Sequence, residues 1–143
     1  IFIIVFAHRI MITAWTQPPQ IYSEELQELK ALATIAESNA QVMTTNTRYT
    51  PWAIGYSERK AFGPGWEFDQ WSLYKWMEFW HANGDSADLK RLELLEDYNE
   101  PLYIFVGSSE GRGNPYYKLF ESNSVFEKIS AHIWKYEKPL VNK

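Results

Sequence analysis

The chain has 143 residues, of which 45% are hydrophobic and 17% aromatic, and its formal net charge at pH 7 is −4. This length fits one domain that buries its own core without a metal ion or disulfides. A weakly acidic chain with no basic block cannot neutralise a run of phosphates, so nucleic acid is excluded as a partner. Because the chain contains no Cys, disulfides, thiolate metal sites and cysteine nucleophiles are excluded as well.

The three histidines, His8, His81 and His132, are far apart in the sequence. None of them lies in a spacing typical of paired metal ligands, such as HExxH. We interpret each as an ordinary structural residue, and we expect no metal ion and no other cofactor in this fragment.

The first 20 residues allow two interpretations. An unbroken apolar run extends from Ile1 to Ala7 without an initiator Met, and Trp15 and Pro18–Pro19 follow it. The run is too short for a whole membrane helix, which needs about 20 apolar residues. It suits the exit end of one, because Trp favours the membrane interface and Pro ends regular structure. A buried strand fits the same residues. We therefore predict a truncated membrane-proximal segment and connector, or a strand, over 1–20, and one globular domain over 21–143.

Residues 21–62 predict two helices and two strands. Ser23 is typical of a helix N-cap, and an acidic first turn and a leucine stripe follow it. Thr50 is typical of a second N-cap, with Pro51 in the first turn. The predicted elements are a helix over 23–38, a strand over 41–46, a short helix over 50–56 and a strand over 59–62. Strand, helix and strand in this order form a βαβ unit, so the two strands should be parallel neighbours.

The middle of the chain predicts two more helices. Four apolar residues at i, i+3, i+4 and i+7 form one helix face, which we expect in the core, and Gly84 would end this helix. Asp85 would be the N-cap of the next amphipathic helix, with Asp88 in its first turn. The four residues of the apolar face are Leu73, Trp76, Met77 and Trp80.

The last third predicts a strand, a loop and a hairpin. Leu102–Val106 is apolar at every position, as in a strand covered on both faces and flanked by parallel strands. The glycine-rich segment 107–115 lacks the spacings of phosphate-binding loops, and Asn114–Pro115 opposes an immediate helix, so a mobile surface loop is predicted. Residues 126–129 and 132–137 predict a terminal hairpin. The fold class is therefore α/β: a three-layer sandwich with a small, mainly parallel sheet, flanking helices and a C-terminal hairpin.

A candidate binding site lies where the parallel strands end. Ligands collect beyond the carboxyl ends of such strands, and residues 46–52 follow the first strand there. Their guanidinium group suits a carboxylate or phosphate, and their rings suit a sugar or a prenyl chain. The alternative is that the rings are core packing and that Arg48 or Arg59 pairs with a nearby glutamate. The candidate substrate-binding residues are Asn46, Arg48, Tyr49, Trp52, Trp66, Glu67 and Asp69.

Two members of this set also allow a catalytic interpretation. Glu67 and Asp69 could form the acid and base pair of a glycoside hydrolase, which requires a carboxyl separation of about 5 to 9.5 Å across a cleft. Sequence spacing does not set that separation. No serine lies in a GxSxG turn, so a serine nucleophile is not indicated.

Three short patterns between residues 21 and 137 resemble a known family. The first is an aromatic–Gly turn followed by glutamate and arginine, the second a tyrosine ahead of a YIFVG strand with a glutamate after it, and the third an Ile-aromatic-Lys element. Their residues are Gly55, Tyr56, Glu58 and Arg59; Tyr98, Tyr103–Gly107 and Glu110; and Ile133, Trp134 and Lys135. In this order they resemble the soluble tail of archaeal and bacterial multi-span membrane proteins with glycosyltransferase-C architecture, a group that includes oligosaccharyltransferase-like members.

The resemblance implies a tail domain on the extracytoplasmic face of a membrane, anchored through a preceding helical region that ends within residues 1–20. Catalytic acids and metal ligands of this family lie on loops between membrane helices, so the fragment would not be catalytic alone. It would help to hold a lipid-linked sugar or an acceptor through residues around Arg48, Trp52 and Trp66.

One motif of the family is not present. Oligosaccharyltransferases recognise the acceptor hydroxyl with a WWDYG motif, and here RYTPWAIGY, residues 48–56, occupies the comparable turn. The alternatives to a transferase tail are a standalone carbohydrate-binding or protein-interaction module and a small glycosidase-like enzyme.

Overall fold

The computed structural model describes residues 20–65, 70–99, 101–111 and 113–138. These residues form five α-helices, one 3₁₀ turn and five strands. They are α1 (Ser23–Ile35), β1 (Gln41–Thr44), α2 (Thr50–Tyr56), β2 (Lys60–Phe62), α3 (Leu73–His81), α4 (Ala87–Leu95), β3 (Leu102–Phe105), a 3₁₀ turn (Ser108–Glu110), α5 (Pro115–Ser122), β4 (Phe126–Lys128) and β5 (Ile133–Tyr136).

The five strands in this part of the chain form one mixed sheet in the order β2–β1–β3–β5–β4. β1 is parallel to both of its neighbours, with Val42 opposite Ala61 of β2 and opposite Tyr103 of β3. β5 is antiparallel to β3 and to β4. The predicted parallel βαβ unit and the C-terminal hairpin are therefore confirmed.

The prediction that β3 has parallel strands on both sides is wrong for one side. β1 is parallel to it, but β5 runs antiparallel. An apolar residue at every position reports burial of both faces, and burial does not depend on the direction of the neighbouring strand. The helix α5 returns the chain so that β4 runs in the same direction as β3, and the short turn after β4 then reverses β5, which lies between the two.

Helices cover both faces of the sheet, which confirms the predicted α/β three-layer sandwich. One apolar cluster joins α3, α4 and α5 to the strand residues Met43, Ile104 and Trp134. The other joins α1 and α2 to the opposite face, including Val42 and Tyr103. Consecutive strand residues alternate between the two clusters, as the pleat requires.

The apolar face predicted for α3 is displaced. Trp76 and Phe79 are buried, whereas Leu73 is 72% and Met77 46% exposed. The stripe that faces the sheet instead contains Phe79, whose ring lies 5.5 Å from that of Tyr116 on α5. Both stripes contain Trp76, so periodicity alone could not decide which one faces the core.

Two helices end earlier than predicted, and at each end an arginine from elsewhere in the chain donates to backbone carbonyls. α1 ends at Ile35 rather than at residue 38. At this end Arg59 donates to the carbonyls of Ala33, Ala36 and Glu37. α3 ends at His81, before Gly84, and a buried arginine of α4 donates to its last carbonyls. These guanidinium groups satisfy carbonyls that a helix end leaves without partners, and local sequence does not reveal them.

The three predicted N-caps are each displaced by one residue. Tyr22 and Tyr49 occupy the cap positions of α1 and α2, one residue before the predicted Ser23 and Thr50. Ser86 occupies that of α4, one residue after the predicted Asp85. Thr50 has a different role, because its hydroxyl is hydrogen bonded to that of Thr44 at 2.7 Å in the core.

The described residues of the segment 107–115 contain more regular structure than the predicted surface loop. It contains the 3₁₀ turn, and α5 begins at Pro115 directly after its N-cap Asn114. Asn–Pro does not oppose a helix here, because proline at the first helical position lacks only an N–H that has no partner within the helix.

No helix in the described ranges has both the length and the apolarity that crossing a bilayer requires. Residues 1–19 lie outside those ranges, so the membrane-proximal segment stays a prediction.

Candidate functional site

The structure separates the residues of the predicted site that it describes. Asn46 follows β1, and its Oδ1 accepts the backbone N–H of Arg48 at 2.9 Å. The Arg48 side chain is exposed, Tyr49 is 1% exposed and Trp52 is half-buried. Trp66, Glu67 and Asp69 lie outside the described residues. Of the four residues that can be placed, only Asn46 lines the groove described below.

Tyr49 lies under the loop that follows β3. A Cβ atom at Gly107 would fall 2.0 Å from the Tyr49 ring, so only glycine permits this approach. The Tyr49 hydroxyl is hydrogen bonded to Ser109 Oγ at 2.5 Å and accepts the Ser109 N–H at 3.1 Å. Burial raises the pKa of the phenol. Tyr49 therefore connects α2 to the loop after β3.

Trp52 lies on α2, on the opposite side of the sheet from α3. Its ring stacks on that of Tyr56 at 6.0 Å, and Lys30 Nζ lies 5.2 Å from the Tyr56 ring centroid. Trp52 also packs against the apolar cluster under α1 and α2. This arrangement matches the core-packing alternative more closely than an open sugar platform.

A groove of about 490 Å³ opens at the carboxyl ends of β1 and β3; we call it the strand-end groove. Its walls come from the residues after β1, from the end of α3 and from the start of α5. The lining residues are Thr45, Asn46, Trp80, His81, Ala82, Asn83, Glu110, Asn114, Pro115 and Tyr116. The groove lies at the sheet edge where parallel strands favour a ligand, although α3 and the 107–116 segment supply most of its surface.

Glu110 supplies a carboxylate to this groove, and it accepts hydrogen bonds from three other residues of the protein. Its Oε2 accepts the hydroxyls of Thr45 at 2.6 Å and Tyr116 at 2.7 Å, and its Oε1 accepts the N–H of Gly107 at 3.2 Å. Burial raises the pKa of the carboxyl, and these three hydrogen bonds oppose the rise without cancelling it. Since a carboxylate has roughly four acceptor positions, most of its capacity is used within the protein.

Tyr116 and Asn114 extend the network. Burial and the neighbouring Glu110 carboxylate raise the pKa of the Tyr116 phenol, so it remains a hydrogen-bond donor. The Asn114 amide nitrogen donates to the Tyr116 hydroxyl at 2.8 Å and to the Glu110 carbonyl. Both amide hydrogens are thus used, which leaves Oδ1 of Asn114 as the acceptor for a ligand.

Trp80 has a fixed orientation in the wall of the groove. Its Nε1 donates to the Thr45 carbonyl at 3.0 Å, and its ring lies 5.5 Å from that of Trp76. A half-buried indole held at both ends presents its surface without losing further rotamer freedom when a ligand binds.

A second carboxylate, which is fully buried, supports the loop from the α1 side. Glu25 is 1% exposed, and its Oε1 accepts both the N–H and the hydroxyl of Ser108, at 2.7 and 2.8 Å. Together with Tyr49 and Glu110, it ties the 3₁₀ turn to α1, α2 and β1. The groove is therefore built on a rigid support.

Among the lining residues of the strand-end groove that the structure describes there is no Lys or Arg, and their one carboxylate, Glu110, is partly buried. Its amides supply both donors and acceptors: Asn46 uses its Oδ1 internally, while Asn83 uses its amide nitrogen on the His81 carbonyl at 3.3 Å. Hydroxyl groups, which donate and accept, match this set. A phosphate does not, because it requires cationic or multiple N–H donors.

Within the ranges that the structure describes, no group of three or more His, Asp or Glu side chains is placed to hold a metal ion.

Comparison of the chain with protein-family models, with curated proteins and with solved structures finds no match. The resemblance to glycosyltransferase-C tails therefore depends on the three short patterns alone.

Sequence reasoning missed most of the groove. Trp80 was assigned to the core face of α3, and Asn114 to a mobile loop. One signal was available: Asn before Pro is a helix N-terminus signature, and it places an amide and Tyr116 at the start of α5. Asn83 had no comparable signal.

Proposed function

We propose that this chain is a non-catalytic domain that binds neutral sugar residues, in the extracytoplasmic tail of a membrane glycosyltransferase-like protein. The observation that carries the sugar-binding part is the strand-end groove, which combines a fixed indole with amide donors and acceptors and contains no Lys or Arg among its described lining residues. The membrane and transferase part rests on the resemblance.

A sugar ring matches the chemistry of this groove. One side of the ring carries C–H groups, which pack on the electron-rich face of an indole, and its rim carries hydroxyls that pair with the amides of Asn46, Asn83 and Asn114. Pockets of about 300–1,000 Å³ with a few placed polar groups are typical of small-ligand sites, and the groove lies in that range.

In this function the domain binds sugar and does not catalyse a reaction. Glu110, the carboxylate in the groove, already accepts three hydrogen bonds from the protein. A general acid must instead reach the leaving-group oxygen of its substrate. The pair Glu67 and Asp69, the basis of the glycosidase alternative, lies outside the described residues.

For a lipid-linked sugar, the groove would hold the sugar and leave the pyrophosphate outside. Burying a phosphate among neutral side chains is costly unless it is paired. Arg48, exposed and two residues beyond Asn46, keeps its predicted role as a partner for such a group at the rim.

The experiment is calorimetric titration of the purified protein with di- and tetrasaccharides of glucose, mannose and N-acetylglucosamine. We expect Trp80→Phe and Asn83→Ala each to weaken binding by about tenfold, which corresponds to about 1.4 kcal/mol. Calorimetry is preferred because its signal does not depend on Trp80 itself.

Trp52→Phe decides between the two sites, because Trp52 belongs to the sequence-predicted site and does not line the groove. Unchanged affinity in Trp52→Phe, with circular dichroism showing that all variants fold, supports the groove. Loss of binding in Trp52→Phe but not in Asn83→Ala would place the sugar at the 46–52 turn. Absence of binding to any saccharide would remove the proposal.

The membrane part has a separate test, which is the coding sequence upstream of residue 1. Many apolar segments of spanning length there would support a transferase tail. A coding sequence without them would leave a standalone sugar-binding module.

A further inference from the structure

A second depression, of about 430 Å³, adjoins the strand-end groove; we call it the helix-end depression. It lies on the outer side of α3, where this helix meets α4. Its lining residues are Tyr74, Met77, Glu78, His81, Ala82, Asn83 and Lys90.

The two depressions share one wall. His81, Ala82 and Asn83, at the end of α3, line both. The buried Arg91 guanidinium fixes this wall, since it donates to the carbonyls of Phe79 at 2.9 Å and Ala82 at 2.6 Å. A ligand that crosses the wall would therefore meet a rigid ridge with a depression on either side.

The chemistry of the helix-end depression is close to that of the groove. Tyr74 is 72% exposed and Met77 46% exposed, so an aromatic ring and a thioether are open to solvent. The charged lining residues Glu78 and Lys90 face each other, with Lys90 Nζ 3.9 Å from Glu78 Oε1. Their charges compensate, so this depression also favours a neutral ligand with apolar and hydroxylated surfaces.

We propose that the strand-end groove and the helix-end depression are consecutive subsites for one extended, neutral oligosaccharide, and that Tyr74 is the stacking residue of the second subsite. This inference rests on the proposed sugar-binding function. The shared wall carries it, together with the way the charged lining residues are engaged within the protein: Glu110 accepts three hydrogen bonds, and Glu78 lies 3.9 Å from Lys90. Each depression has the size of a small-ligand site, so a chain that occupies both must be longer than one that fills the groove.

The test compares disaccharides with tetrasaccharides of the same sugar, by calorimetry on the intact fragment. We expect the tetrasaccharide to bind about tenfold more tightly than the disaccharide. Tyr74→Ala should abolish this gain and leave the affinity for the disaccharide unchanged. Because the Tyr74 side chain is largely exposed, its truncation should not affect folding.

Leu73→Ala is the matched control. Leu73 is the neighbouring residue on α3 and is equally exposed, at 72%, but it does not line the depression. Its substitution should change neither affinity.

The outcomes separate the two proposals. Suppose that the disaccharide binds in a Trp80-dependent manner. If the tetrasaccharide then binds no more tightly than the disaccharide, or if its higher affinity survives Tyr74→Ala, the second subsite is wrong and the proposed function stands. If no saccharide binds, both are wrong. If sedimentation shows a dimer that both Tyr74→Ala and Leu73→Ala dissociate, the outer face of α3 is a contact between two copies, and the subsite is overturned.

Discussion

The turn 46–52 and the segment 107–116 both follow a parallel strand at the same edge of the sheet, but they have different roles. The first sends Tyr49 into the core and leaves Arg48 at the surface. The second contributes four lining residues to the strand-end groove. Topology therefore indicates the edge at which a ligand would bind, and the packing between the two segments decides which side chains remain open to it.

Gly107→Ala should break this arrangement most severely. The added Cβ would lie 2.0 Å from the Tyr49 ring, so the two segments would have to separate. Overpacking of this kind costs about 3 kcal/mol of unfolding free energy, measurable by urea denaturation. Gly55→Ala is the control, because nothing lies within 4 Å of its Cβ. A Gly107→Ala protein as stable as wild type would contradict the packing described.

Glu110→Ala should have the next largest effect. It leaves the hydroxyls of Thr45 and Tyr116 and the Gly107 N–H without their acceptor, which should cost about 2 kcal/mol. Glu110→Gln keeps one acceptor oxygen and should lose less. Equal stability losses in the two variants, measured by thermal denaturation, would show that the network does not support the groove.

The raised pKa of Glu110 predicts a pH dependence with a definite sign. A carboxyl whose pKa is higher in the folded than in the unfolded state binds more protons when folded, so its contribution to stability falls as the pH rises from the unfolded pKa through the folded one. Between pH 4 and pH 7, wild type should therefore lose more unfolding free energy than Glu110→Gln. Parallel pH profiles for the two proteins would contradict this.

Tyr49→Phe tests the hydrogen bonds that join the turn 46–52 to the segment after β3. Loss of the hydroxyl that bonds Ser109 should cost about 1 kcal/mol. The affinity for a disaccharide should not change, because Tyr49 does not line the groove. A tenfold loss of affinity at unchanged stability would return the binding site to the 46–52 turn.

The smallest effect on stability is expected for Glu37, which follows α1 and does not line the groove. The hydrogen bond from Lys135, followed by the backbone and by Tyr103, lowers the pKa of Glu37 from 4.5 to about 2. A lowered carboxyl pKa stabilises the protein above the unfolded value, and this stabilisation is lost as the pH falls towards 2. Since the Glu37 side chain is 43% exposed, Glu37→Gln should cost less than about 1 kcal/mol at pH 7, and the difference from wild type should shrink as the pH falls towards 2. A constant difference across this range would exclude the ion pair as its source.

Part of the candidate site could be predicted from the sequence and part could not. The edge of the sheet was predictable, because a βαβ unit aligns the carboxyl ends of its strands. The lining was not, because its residues come from distant parts of the chain: the hydrogen bond between Thr45 and Glu110 joins residues 65 positions apart. Trp80 belongs to two overlapping helical stripes, and only the packing of α3 on the sheet shows which side it faces.

Local sequence patterns were enough to predict the α/β class, the parallel βαβ unit, the doubly covered strand β3 and the C-terminal hairpin. Each depends on local periodicity, on turn residues and on the length of a connection, all of which act between residues close in the chain. Only the folded structure shows that β5 lies between β3 and β4, that α1 and α3 end early and that Tyr49 is buried under Gly107. These features depend on contacts between residues that are far apart in the chain. A local sequence pattern does not report the energies of such contacts.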